Sequence, residues 1–147
     1  MSTAPLLIFA WGNPSRGDDA LGPLLIERLQ AMNLSGVDCL TDFQLQVEHA
    51  LDLKGRRRVL FVDASLNAAA PFEFAPIQSA RDASFTTHAM TPAAILQVYR
   101  DVEDSEPPAS WLLGIRGERW ALGDPPSEAA LANLEQALRW TLQWIRD

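Results

Sequence analysis

The stretch from Leu6 to Leu29, LLIFAWGNPSRGDDALGPLLIERL, constrains this chain more than any other. Its opening, Leu6 to Trp11, is an unbroken apolar run, as expected of a strand buried on both faces. Gly12 to Asp19 is polar and opens on a glycine, and Asn13-Pro14 inside it is a turn signal. From Ala20 to about Met32 the apolar residues Leu21, Leu24, Leu25 and Leu29 recur at helical spacing. A strand, a tight turn and a helix make the first half of a βαβ unit. Open α/β sheets bind their ligands beyond the carboxyl ends of such strands. Here that loop carries two adjacent carboxylates, Asp18 and Asp19. Either can also serve as the cap of the following helix, and Pro23 suits its first turn.

The rest of the chain alternates in the same way. Asn33 to Gly36 ends the first helix, and Val37 to Phe43 is the second strand. Val47 to Leu53 is a short helix with Val47, Ala50 and Leu51 on its inner side. Arg58 to Val62 is a third, wholly apolar strand, ending in Asp63-Ala64-Ser65. Phe72 to Ile77, bounded by prolines, is a fourth strand suited to a sheet edge. Ser79 to Thr91 is a polar loop holding His88, after which Thr91 caps a helix opened by Pro92. Trp111 to Ile115 is the last strand. Ser127 caps a final helix to about Arg146, with Leu131, Leu134, Leu138, Leu142 and Ile145 as its core stripe. The pattern predicts an α/β fold. It is a single domain over 1–147, a doubly wound, mostly parallel five-stranded sheet with helices on both faces.

Composition excludes several functions. A net charge of −7 disfavours nucleic acid, which requires clustered Lys and Arg on one face. The one basic cluster, Arg56 to Arg58, reads as a solvated loop. The single cysteine, Cys39, lies in an apolar run and reads as a buried structural thiol, with no CxxC pair for zinc or redox chemistry. No segment approaches the roughly 20 apolar residues of a membrane span, and the N-terminus lacks a secretory leader. The expected location is cytoplasmic, with neither nucleic acid nor membrane as partner.

Three side chains are candidates for one site. Asp19 follows the first strand, Asp63 ends the third, and His88 sits in a later loop before a helix. If the first and third strands are neighbours, Asp19 and Asp63 share a carboxyl edge that a loop histidine can reach. Two carboxylates and an imidazole suit a borderline divalent metal, held weakly and with open positions. The bland alternative is a helix cap, a strand-end turn residue and a loop histidine. A phosphate loop fits poorly, because Gly12 and Gly17 do not make G-x-G-x-x-G and the carboxylates repel a pyrophosphate. A triad of Ser65, His88 and Asp63 lacks the G-x-S-x-G elbow. His49 lies off the inner stripe of its helix and reads as solvated; Trp140 and Trp144, one turn apart, read as core or interface.

The segment GNPSRGDDALG resembles the G-N-x4-D-[DE]-x2-G signature of the hydrogenase maturation endopeptidases, through Gly12, Asn13, Asp18, Asp19 and Gly22. FVDAS is similar to that family's strand-end Asp segment at Asp63, and TTHAMTP to its histidine segment at His88. The order of elements and a G-x-R stretch at Gly114 extend the resemblance over essentially the whole chain. The resemblance implies a nickel-dependent endopeptidase of aspartic or metal-recognising type. Such enzymes remove the C-terminal extension of a nickel–iron hydrogenase large-subunit precursor after nickel insertion. It implies that Asp19, Asp63 and His88 contact the nickel and carry catalysis, and that the metal arrives with the nickel-loaded precursor. The implied alternatives are a non-catalytic, chaperone-like binder that senses metal loading, and an unrelated α/β hydrolase. Two departures stand out. Many members have Glu where this chain has Asp19, and many have a D-G-G-T-type segment where this chain has Asp42-Phe43-Gln44-Leu45-Gln46.

Overall fold

The computed structural model describes residues 3–81 and 90–147. Five strands, β1 (Leu6–Trp11), β2 (Val37–Asp42), β3 (Arg58–Ser65), β4 (Phe72–Ile77) and β5 (Ala109–Arg116), form one sheet. Their order is β2-β1-β3-β5-β4. β1 pairs parallel with β2 and β3, and β3 parallel with β5; β4 runs antiparallel along β5 at the edge. An edge strand tolerates Pro76, which has no N–H to give to a ladder. The expected doubly wound, mostly parallel sheet of five strands is what the chain adopts.

The apolar runs split between two cores because successive side chains of a strand face opposite ways. Leu6, Ile8 and Ala10 of β1, with Leu60 and Val62 of β3, meet α1 (Leu21–Gln30) and α3 (Glu128–Arg146). Leu7 and Phe9, with Val59 and Phe61, meet α2 (Pro92–Glu103) and the 3₁₀ helix Val47–Leu53. Leu7, Ile8, Leu60 and Ile95 have no exposed surface, and burying each such side chain is worth about 1.5–3 kcal/mol. The predicted caps are present. Thr91 Oγ1 accepts from the Ala94 N–H (3.1 Å), and Ser127 Oγ from the Ala130 N–H (3.2 Å).

Several local expectations change. The turn Gly17–Ala20 is 3₁₀, and α1 starts after it with no side-chain cap. Val47–Leu53 is also 3₁₀, so Ala50 and Leu53, three apart, share the inward face and Leu51 turns out, 66% exposed; Val47, at the start of the helix, is 53% exposed. His49 is buried rather than solvated. Its Nδ1 accepts from the Gln46 N–H (2.8 Å), its Nε2 lies 3.2 Å from Asp42 Oδ2, and its ring meets Phe9 edge-on. Arg56 is no free loop cation: its guanidinium pairs with Asp38 and donates to the Ala4 carbonyl (2.9 Å). Arg58 lies over the Trp144 ring at 4.4 Å and donates to the Ile145 carbonyl. Trp144 stacks beside Trp140 and packs with Phe74 and Trp111, so these aromatics lock α3 against the β4–β5 edge. Leu131 sits at the rim of its stripe, 39% exposed.

Gly12 is required by space. A Cβ there would stand 2.0 Å from the Asp19 carbonyl oxygen, and its φ is +150°. Gly12→Ala therefore has to displace the loop that ends β1. The expected cost is at least about 2 kcal/mol, a fall in Tm of roughly 4–8 °C in thermal unfolding.

Candidate active site at the carboxyl edge

The site is made by strands that end at different heights. Ala10 of β1 is in register with Val62 of β3, so Trp11 is level with Asp63. β1 stops there, and the Gly12 N–H donates to the Asp42 carbonyl (3.1 Å) as the chain turns away. β3 runs on, with Asp63, Ala64 and Ser65 still paired to Gly114, Ile115 and Arg116 of β5. Sequence reading stops this strand at Val62 because its apolar run ends there; the ladder with β5 carries it three residues further. Asp63 thus stands on rigid strand, beside the gap left by β1. The loop Gly12–Asp19 folds over that gap. Asp19 Oδ2 accepts from the Asn13 N–H (2.7 Å), and Asn13 Oδ1 accepts from the Ser15 N–H (2.9 Å), so the loop is braced from within.

The two carboxylates are electrostatically coupled. Burial, with the negative charge of Asp19 beside it, pushes the Asp63 carboxyl up to about 7. A hydrogen bond from the Ala64 backbone opposes this without cancelling it. Near neutrality this edge therefore gains by taking up a proton or a cation.

Asp18 does something else. It has no exposed surface and accepts four hydrogen bonds, from the N–H groups of Glu118 (2.7 Å), Arg119 (2.9 Å) and Ser127 (2.6 Å) and from Ser127 Oγ (2.7 Å). Burial alone raises its carboxyl, but these bonds outweigh that and hold it below the usual carboxylate range. It caps neither helix of its own segment; it ties the first loop to the β5–α3 connection and to the residue that caps α3. Two backbone bonds reinforce the junction, Gly17 N–H to the Asp124 carbonyl (3.0 Å) and Gly123 N–H to the Ser15 carbonyl (2.7 Å).

Of the three predicted ligands, Asp19 and Asp63 come together. His88 lies outside the described residues. Among the described residues no group of three His, Cys, Asp or Glu side chains forms a metal cluster. Ser65 Oγ is occupied in a turn, accepting from the N–H groups of Asn67 (3.3 Å) and Ala68 (3.0 Å). Burial, with Asp38 nearby, pushes the Cys39 thiol up to about 11, which leaves little thiolate for nucleophilic attack. The Asp42–His49 pair is a structural contact that residue patterns overlooked. Its one signal is the spacing of Gln46 and His49, which bond reciprocally as a capping box. No helix among the described residues is long and apolar enough to cross a membrane.

No protein-family model matches this chain, and no curated protein matches it in sequence. Solved structures do match. The NiFe hydrogenase maturation protease HycI from Thermococcus kodakarensis superposes with a TM-score of 0.73 at 22% identity, over 98% of this chain and 94% of its own. The hydrogenase maturating endopeptidase HybD from E. coli gives 0.74 at 22% identity, over 96% and 91%. This chain has the fold of the hydrogenase maturation proteases. The endopeptidase HycI from Escherichia coli repeats the match at 0.68 and 20% identity, over 91% of this chain and 86% of that one. These matches each cover more than nine-tenths of this chain, so the shared fold takes in the sheet and the helices alike.

Proposed function

We propose that this protein is an endopeptidase that removes the C-terminal extension of a nickel–iron hydrogenase large-subunit precursor after nickel insertion. The observation that carries this reading is the coupled pair Asp19 and Asp63 at the carboxyl edge of a maturation-protease fold. In this reading the nickel is part of the substrate. Asp19, Asp63 and His88 dock on the ion that the precursor already holds, which places the scissile segment over the edge. A divalent cation relieves the repulsion that burial imposes on the two carboxylates, so the pair favours a metal-loaded precursor over an empty one. Two carboxylates and an imidazole match the donor preferences of nickel and leave positions open for the precursor's own ligands.

The histidine must be neutral to coordinate, and the carboxylates ionised, so kcat/KM for processing falls as pH drops and Asp63 of the free protein, raised to about 7, takes up its proton. His88→Ala is expected to slow cleavage of nickel-loaded precursor by roughly 100-fold or more, since loss even of a group behind a metal ligand costs 10–100-fold. Undiminished processing would remove His88 from the site. Mass measurement of the precursor before and after incubation separates a protease from a chaperone-like sensor, because only a protease shortens it.

A further inference from the structure

One apolar surface of this protein is not part of the carboxyl edge. The 3₁₀ helix Val47–Leu53 and α2 lie side by side, with a groove of about 190 Å³ between them. Val47 and Leu51 line one wall, and Val98 and Val102 the other; Ala50 and Tyr99 close the floor. Val47, Leu51 and Val102 are each more than half exposed. A lone exposed leucine needs no explanation, but three large apolar side chains facing one trough mark an interaction surface. The rim is acidic. Glu48 stands on one wall and Glu103 on the other. Lys54 lies 3.5 Å from Glu103, whereas Glu48 has no ion-pair partner among the described residues.

Shape and charge together select the occupant. A trough between two helical elements accepts the ridge of a third helix, read by apolar side chains one turn apart. The chain carries a net charge of −7 and, among the described residues, Glu48 stands uncompensated at the rim, so charge complementarity favours a basic partner over a second copy. The groove also starts where the chain leaves the carboxyl edge. Asp42, whose carbonyl holds Gly12, lies five residues before Val47 on the same segment, and its carboxylate is held by His49 within the groove's own helix. A protein seated on the edge is within reach of it.

We propose that this groove docks a basic amphipathic helix of the protein substrate, with apolar side chains in the trough and a Lys or Arg side chain meeting Glu48. This rests on the reading above that the substrate is a hydrogenase precursor. Contacts remote from the reacting bond that are equal in ground and transition states appear in KM rather than kcat. The experiment is steady-state cleavage of nickel-loaded precursor, with direct binding titrations, for the unaltered protein, for Leu51→Ser/Val102→Ser and for Glu48→Lys. All three positions are exposed, and thermal unfolding verifies that each variant folds. The double variant is expected to raise KM and Kd about tenfold with kcat within twofold. Glu48→Lys is expected to raise KM at low salt, with the difference shrinking as salt rises. Cleavage by the unaltered protein with both variants unchanged in KM and Kd overturns the groove and leaves the protease reading standing. No binding and no cleavage by the unaltered protein overturns both. Concentration-dependent dimerisation that the double variant abolishes would assign the groove to a second copy instead.

Discussion

Asp63→Asn will stop processing of the nickel-loaded precursor while making the protein more stable above neutral pH. On the proposed function the amide removes a metal-facing charge from the edge, and the expected loss of cleavage is at least roughly 100-fold. The stability gain follows from the raised carboxyl. Asp63 titrates at about 7 in the folded protein against 3.8 as its ordinary value. Folding therefore favours the protonated form. Below about pH 4 folded and unfolded chains are both protonated and the group is neutral in effect. Between about 4 and 7 the unfolded chain ionises first, so stability is lost as pH rises, and above 7 the full cost is present. A tenfold change in proton affinity is worth about 1.4 kcal/mol, and once solvent screening at a half-buried carboxyl is allowed for, the cost is about 2 kcal/mol. Asn cannot ionise and escapes that cost. Its Tm at pH 8 is expected to exceed that of the unaltered protein by roughly 4–8 °C, with the difference vanishing near pH 4. Equal Tm values at pH 8 would show that burial and the Asp19 charge do not raise the Asp63 carboxyl. A gain in stability with full activity would make Asp63 a buried charge with no part in catalysis.

Asp18→Ala is expected to act in the opposite direction. The carboxylate is fully buried and accepts from three backbone N–H groups and one hydroxyl. Removing it orphans those donors, and breaking a buried charged contact in this way costs about 3–5 kcal/mol. The corresponding fall in Tm is roughly 6–20 °C. Asp18→Asn keeps the volume but turns an N–H₂ group toward donors, so it recovers only part of the loss. Because Asp18 is held below the usual carboxylate range, its contribution is fully present above about pH 3.8. It is lost only as pH falls through its lowered folded value. The adjacent Asp19 provides the contrast. It is partly exposed and, among the described residues, accepts one bond, from Asn13. Asp19→Ala should therefore lose processing with a change in Tm of no more than about 4 °C. Calorimetry and a cleavage assay on the two single variants test the division directly. If Asp18→Ala unfolds at the same temperature as the unaltered protein, the junction between the first loop and α3 carries no weight.

The resemblance singles out Asp19 as the metal-facing residue and leaves Asp18 as a helix cap; the buried anchor that Asp18 forms instead was not legible in the residue pattern. Both lie in a polar loop before a helix, and both suit a helix cap on composition alone. Which one faces inward depends on the β5–α3 connection, about 100 residues later, whose N–H groups arrive only when the sheet closes. The same reason explains His49, Arg56 and Leu51. Periodicity assumes 3.6 residues per turn, and the segment Val47–Leu53 winds at 3.0, so its inner face rotates. Arg56 finds Asp38 on β2 and the Ala4 carbonyl in the segment before β1, partners that proximity in sequence does not announce.

The sequence alone determined the elements and the sheet they form. Leu6–Trp11 and the apolar core of β3 are continuous hydrophobic runs that only a doubly covered sheet can bury, and Thr91 and Ser127 mark their helices by local hydrogen bonding. It also singled out Asp19 and Asp63, because strand ends in such a sheet gather at one edge. The tertiary structure decided what those residues experience. Burial and a neighbouring charge are properties of the assembled edge, and they separate a carboxyl poised near neutrality at Asp63 from an anchored anion at Asp18. Two residue letters that read alike acquire opposite roles because one meets a like charge and the other meets four hydrogen-bond donors.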